Sequence, residues 1–180
     1  MQPENKDKKL RAGLYIHVPF CVNKCPYCDF YSTTDSNGVG AFVDGLIREM
    51  AFLEVTDWVF DTIYLGGGTP TVVPPSQICR IIDGALDHFA FSRNIEITLE
   101  ANPGTVSQAS LDALFRCGIE RCNIGVQSFN DGHLGFLGRV HTPSQAREAI
   151  TMARNAGMVN LGLDLIYGLP GQTPEDWLED

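Results

Sequence analysis

No stretch of this 180-residue chain approaches the roughly 20 consecutive apolar residues that a membrane-spanning helix requires. Basic residues are scarce as well: 13 Lys and Arg stand against 22 Asp and Glu, a formal net charge of −9. So acidic a chain offers phosphate backbones no electrostatic footprint, which sets nucleic-acid binding aside. Met1–Lys9 lacks the apolar centre of a secretory leader, and Glu4 and Asp7 are out of place in an organellar transit peptide. The expectation is a cytoplasmic protein with no membrane span, where thiols stay reduced and clustered cysteines signify metal or catalysis.

Three cysteines are clustered, and no fourth lies near them: Cys21, Cys25 and Cys28, in Cys-Val-Asn-Lys-Cys-Pro-Tyr-Cys. Soft thiolates select zinc or iron–sulfur clusters. Three of them can hold three corners of a cubane cluster and leave one iron open to another ligand. Other readings compete. A zinc knuckle needs a fourth ligand, from His17 or a remote cysteine. An electron-transfer ferredoxin runs Cys-x2-Cys-x2-Cys-x3-Cys, with four thiolates. The third alternative is three structural cysteines that are neighbours by chance. Cys79, Cys117 and Cys122 are scattered and read as ordinary, partly buried thiols.

Apolar residues make up 44% of the chain, and its length suits one domain with a substantial core. Residues 1–13 read as a flexible tail and residues 14–180 as the core domain. Leu14–Val18 reads as a strand leading into the cysteine loop. Phe42, Leu46, Met50 and Leu53 recur at helical spacing. Thr62–Leu65 is a second strand, closed by Gly66-Gly67-Gly68-Thr69-Pro70. Ile78, Ile81, Ile82, Ala85, Leu86 and Phe89 mark a helix, and Ile95, Ile97 and Leu99 alternate as a strand does. A helix through Leu111, Leu114 and Phe115 stops at Gly118. Cys122–Gln127 is the fourth strand, and Thr142-Pro143 opens a helix that closes near Gly157. Leu161–Tyr167 is the fifth strand, and Thr173-Pro174-Glu175-Asp176 starts another helix.

Strands therefore alternate with helices, with no hairpin signal between them. That pattern predicts an α/β fold with a parallel sheet of βαβ units. Five strands cannot close an eight-stranded barrel. The expectation is an open part-barrel, an incomplete TIM-like core, cut short at the C-terminus because nothing follows Trp177 and Leu178 to bury them.

The polar residues of interest fall just after strands, at the sheet edge where parallel α/β folds bind ligands. The triple glycine would let backbone approach a ligand closely, but it matches neither a dinucleotide nor a Walker pattern; a tight turn is the alternative. Glu100, Gln127, Arg139 and Asp164 suit a zwitterionic amino acid joined to a ribose. Arg139 would fork onto a carboxylate, Glu100 would take an ammonium, and Asp164 and Gln127 would bond vicinal hydroxyls. Each alone reads equally as a surface ion pair or loop cap; together, at one edge beside the cysteine loop, they read as a site.

The ordered set Cys-x3-Cys-x2-Cys, Gly-Gly-Gly-Thr-Pro, Glu-Ala-Asn-Pro-Gly, Gly-Val-Gln-Ser-Phe, Leu-Gly-Arg-Val-His and Asp-Leu-Ile-Tyr-Gly-Leu-Pro-Gly-Gln-Thr resembles the radical S-adenosylmethionine superfamily over residues 14–180. Within it, the resemblance is to oxygen-independent coproporphyrinogen III oxidases and their HemW heme-chaperone relatives. It implies a [4Fe-4S] cluster on Cys21, Cys25 and Cys28, with S-adenosylmethionine on the open iron. It also implies that Tyr15, Tyr27, Gly67, Gly68 and Thr69 line the cofactor and that Glu100, Gln127, Arg139 and Asp164 complete its shell. The oxidases carry a further cysteine two residues after the third and a long N-terminal arm. Here that position is Phe30, and only 20 residues precede Cys21. The resemblance therefore favours a chaperone that binds heme as cargo and passes it to acceptor proteins, with an electron donor such as flavodoxin or ferredoxin. The branch's heme motif belongs to a C-terminal region outside this sequence, and His17 and His141 read as structural. The oxidase is the alternative, and a zinc-binding module the more distant one.

Overall fold

The computed structural model describes residues 9–53, 55 and 57–180. Its centre is a five-stranded, all-parallel sheet in which β1 (Leu10–Val18), β2 (Trp58–Gly67), β3 (Phe91–Ala101), β4 (Arg121–Gln127) and β5 (Asn160–Leu165) lie in sequence order. A doubly wound sheet would reverse its strand order part-way. Here every strand pairs with its chain neighbour, and right-handed crossovers then keep the helices on one side. This is the winding of a barrel left open.

Period-two alternation assigns the two faces. Ile16, Val18, Ile63, Leu65, Leu99 and Ile124 are buried in one core with Ile78, Ile81 and Ile82 of a covering helix. The alternate positions, among them Tyr15, Tyr64, Glu100, Asn123 and Gln127, are less buried and polar. The helices are α1 (Val39–Phe52), α2 (Pro75–His88), α3 (Gln108–Arg116), α4 (Asp131–Phe136), α5 (Pro143–Asn155) and α6 (Pro174–Glu179). Capping boxes start three of them, Ser107 with Ser110, Thr142 with Gln145 and Thr173 with Asp176; such a cap is typically worth about 1 kcal/mol. Gly118 and Gly157 follow α3 and α5 with φ of 91° and 101°, the left-handed stop that glycine adopts without strain. Among the described residues no helix is long and apolar enough to cross a membrane.

Four features depart from the sequence reading. Strand β1 starts at Leu10, so Leu10–Gly13 belong to the sheet and not to a tail: Leu10 N–H donates to the Asp57 carbonyl at 2.9 Å and Ala12 pairs with Phe60. Residues 1–8, the rest of the expected tail, lie outside the described residues. Strand β5 ends at Leu165, two residues early. Helix α4 was not anticipated; Asn130 Oδ1 caps it by accepting from Gly132 and His133 N–H, while Gly132 and Gly135 obscure its period. Finally, Cys79 and Cys117 are not free thiols but a disulfide. They sit on neighbouring helices with Cα atoms 5.6 Å apart, within disulfide range.

Candidate functional site

The cysteine loop grows out of the end of β1 and is pinched at its base. Cys21 N–H donates to the Thr33 carbonyl at 2.9 Å, and Thr33 N–H donates to that of Pro19 at 2.8 Å. The glycine-rich loop after β2 is laced to the same segment: Gly68 N–H donates to the Val18 carbonyl at 2.9 Å and Thr69 N–H to the Phe20 carbonyl at 2.7 Å. A Cβ on Gly68 would come within 2.9 Å of three backbone atoms of Val18, Pro19 and Phe20. Gly67, at φ 110°, lies against the His17 ring, which a Cβ would overlap. Both glycines thus make room for protein as well as lining the cavity, a role that neither the close ligand approach nor the tight turn expected from the sequence had included.

The two loops overhang a cavity of about 270 Å³ at the C-terminal ends of the strands. Gly67, Gly68, Thr69, Glu100, Gln127, Arg139 and Asp164 line it, together with Tyr27 and Cys28 from the loop. Cys25 lines a small adjoining crevice with Gly138 and Arg139. Cys21, Cys25 and Cys28 are all free and partly exposed. Thr69 Oγ1 stands 3.7 Å from Cys21 Sγ. Among the described residues no three His, Cys, Asp or Glu converge on one ion; thiolates of a cubane bind different irons and need no such convergence.

Arg139 links loop and sheet. Its Nη2 donates to the Gly125 carbonyl at 2.8 Å, while Nη1 lies 3.4 Å from the Tyr27 hydroxyl oxygen and 3.6 Å from Cys25 Sγ. Its Nε is buried without a partner. Burial pushes the Tyr27 phenol up, and the Arg139 charge pulls against that shift. Gln127 has φ 70°, the single non-glycine residue among those described with positive φ. Strain of this kind concentrates where ligands bind, and it accompanies an irregularity in β4–β5 pairing between Gly125 and Gln127. Glu100 accepts from Gly67 N–H at 3.0 Å and from the Tyr64 hydroxyl at 2.7 Å.

Tyr15 stands apart, for it does not line this cavity. Its hydroxyl lies 3.1 Å from His17 Nδ1, and His17 Nε2 lies 2.9 Å from the Tyr31 carbonyl. A carbonyl only accepts, so Nε2 carries the proton and Nδ1 accepts from Tyr15. The pair braces the cysteine loop from behind. His141 is buried and its Nε2 donates to the Val126 carbonyl at 3.1 Å. Asn123 lines the cavity and Tyr64 supports Glu100, and sequence reasoning had singled out neither. A signal existed: Arg121, Asn123, Gly125 and Gln127 alternate with the buried Cys122, Ile124 and Val126.

The Radical SAM superfamily profile matches residues 15–180, nearly the whole chain. The chain belongs to the radical SAM superfamily. It is similar to the heme chaperone HemW of Haemophilus influenzae, 39% identical over 176 residues, covering 93% of this chain and 46% of that protein. It is 38% identical to the Escherichia coli heme chaperone HemW over 174 residues, again 93% of this chain and 46% of the relative. The radical SAM chain thus spans less than half the length of these curated relatives. Among solved structures it resembles the radical SAM enzyme coproporphyrinogen III oxidase (HemN) from Escherichia coli. The TM-score is 0.86 at 30% identity, over 96% of this chain and 40% of that one.

Proposed function

We propose that this chain is the cofactor-binding core of a HemW-type heme chaperone. The observation that carries the reading is the lacing of a three-thiol loop to a glycine loop above a polar cavity that meets the donors an amino acid and a ribose require. The residues fit the cofactors of the superfamily. Cys21, Cys25 and Cys28 would hold a [4Fe-4S] cluster, and S-adenosylmethionine would occupy the cavity between that cluster and the strand ends. The cluster supplies the electron on which the carbon–sulfur bond of S-adenosylmethionine breaks. The protein's part is to bind, orient and shield. Arg139, with a spare buried N–H, would fork onto the carboxylate. Glu100 would receive the ammonium, Gln127 and Asp164 would bond the ribose hydroxyls, and Tyr27, Gly67, Gly68 and Thr69 would wall the site. Tyr15, behind His17, acts at one remove.

Heme would be the cargo, heme-acceptor proteins its destination, and a flavodoxin or ferredoxin the electron source, all in the cytoplasm. The core domain would begin at Leu10, where β1 starts, with heme ligands supplied elsewhere in the full-length protein. Phe30, exposed at the rim where the oxidases carry a cysteine, favours this branch. The oxidase remains the second reading because the HemN backbone matches so well. The deciding experiment is an anaerobic assay of the full-length protein with reductant, S-adenosylmethionine and coproporphyrinogen III, beside a heme titration. Heme binding without turnover is the expected result. Protoporphyrinogen formation without heme binding would make the oxidase the answer.

A further inference from the structure

The Glu100 carboxylate is gripped from two sides, Oε2 by Gly67 N–H at 3.0 Å and Oε1 by the Tyr64 hydroxyl at 2.7 Å. The Tyr64 oxygen in turn accepts from Asn123 Nδ2 at 3.1 Å. A hydroxyl has one hydrogen, and the carboxylate takes it. Asn123 must therefore present its NH₂ group to Tyr64 and turn its oxygen away. That orientation leaves Asn123 Oδ1 buried and without a partner, against Gly162, where a Cβ would overlap it. An orphaned buried acceptor calls for a reason, and holding Tyr64 in place is one. Gly66 yields space in the same way: a Cβ there would come within 2.8 Å of the Tyr64 ring and 2.9 Å of the Glu100 carboxyl. Glycines on β2 and β5 thus leave room for a hydrogen-bond chain that runs from β4 through β2 to β3.

We propose that Tyr64 and Asn123 are positioning residues for Glu100, a relay that fixes the carboxylate with its remaining lone pairs turned to the ammonium group of an amino-acid ligand. The inference rests on the cavity's being a S-adenosylmethionine site. A carboxylate already fixed loses little freedom when the ligand arrives, and successive hydrogen bonds polarise one another. Burial, helped by the bond to Glu100, pushes the Tyr64 phenol up to about 12, so it stays a donor throughout the neutral range. Its ring stacks on Tyr15 with centroids 6.0 Å apart. Phenylalanine at 64 would keep that contact and remove only the hydroxyl, which donates to Glu100 and accepts from Asn123.

The test is a calorimetric titration of S-adenosylmethionine into the full-length protein, its cluster reconstituted anaerobically. Tyr64→Phe should weaken Kd about tenfold, the scale of one lost hydrogen bond to a charged group. Asn123→Ala should weaken it about threefold. The double variant should be no weaker than Tyr64→Phe alone, because Asn123 acts only through Tyr64. In a Glu100→Ala background, Tyr64→Phe should change nothing further. Iron content should be equal throughout. Fold-changes that multiply, or wild-type affinity in Tyr64→Phe, would overturn the relay while leaving the cofactor site intact. Should Tyr64→Phe not fold, wild-type affinity in Asn123→Ala would overturn it instead. A wild-type protein that takes up iron but binds no S-adenosylmethionine would bring down both the cofactor reading and the relay.

Discussion

Arg139 Nη1 stands 3.6 Å from the sulfur of Cys25, residues 114 positions apart in sequence. The same guanidinium donates to the Gly125 carbonyl at 2.8 Å, so one side chain ties the thiol loop to β4. Lysine keeps the charge but loses the planar fork. Arg139→Lys should weaken S-adenosylmethionine binding about tenfold, the scale of one charge-assisted hydrogen bond. Calorimetry on the reconstituted protein checks it, and unchanged affinity would return Arg139 to a purely structural role.

Gly68→Ala should lower the amount of cluster the protein holds. The added carbon would press on the carbonyls of Val18 and Phe20 at the base of the cysteine loop. Over-packing of that kind costs about 1–3 kcal/mol. Iron and sulfide content per chain, with a thermal melt alongside, measures the effect. Gly67→Val should be harsher, for its side chain meets the His17 ring and a β-branched residue must then hold the existing φ of 110°.

Anaerobic reconstitution of the wild-type protein should give iron–sulfur absorbance that Cys25→Ser abolishes. Loss of one thiolate leaves two, too few to hold a cubane securely. Stoichiometric zinc, with no iron taken up, would restore the zinc-module reading.

His141 sets a pH dependence. Burial and then the Arg139 charge hold its imidazole below the ordinary value, against the Val126 bond that raises it. Below a pH of about 6.5 the unfolded chain takes up a proton at this residue before the folded one does. Stability is therefore fully present above about pH 6.5 and falls as pH drops toward the lowered folded value. His141→Gln keeps a donor for the Val126 carbonyl and cannot charge. Its denaturation midpoint, followed from pH 7 to 5, should lose that part of the decline.

The parts of the fold that short-range chemistry governs were legible in the sequence. Thr142-Pro143 and Thr173-Pro174 start α5 and α6 where expected, and Gly118 and Gly157 end α3 and α5. Glu100, Gln127 and Asp164 were legible because each sits in the last residues of its strand, and strand ends of a parallel sheet meet at one edge. What needed the third dimension was less so. Asn123 and Tyr64 are on strands separated by β3 and meet only through side-chain reach. Gly67 and Gly68 give way to protein atoms contributed by β1, which no local pattern announces. Leu10–Gly13, Leu-Arg-Ala-Gly, are too short to show a strand period of their own, yet β2 pairs with them.

The Cys79–Cys117 bridge gives the chain two kinds of sulfur with opposite needs. Cys21, Cys25 and Cys28 must be thiolates to take a cluster, and the reductant that keeps them so also attacks the bridge between α2 and α3. With its ends 38 positions apart, the closed loop is worth about 4 kcal/mol by chain entropy. A sample prepared in air and one prepared under reductant for cluster loading are then different covalent species, and before any cofactor is added the second should melt earlier. The control is the pair Cys79→Ser and Cys117→Ser together, in which both preparations should melt alike before any cofactor is added.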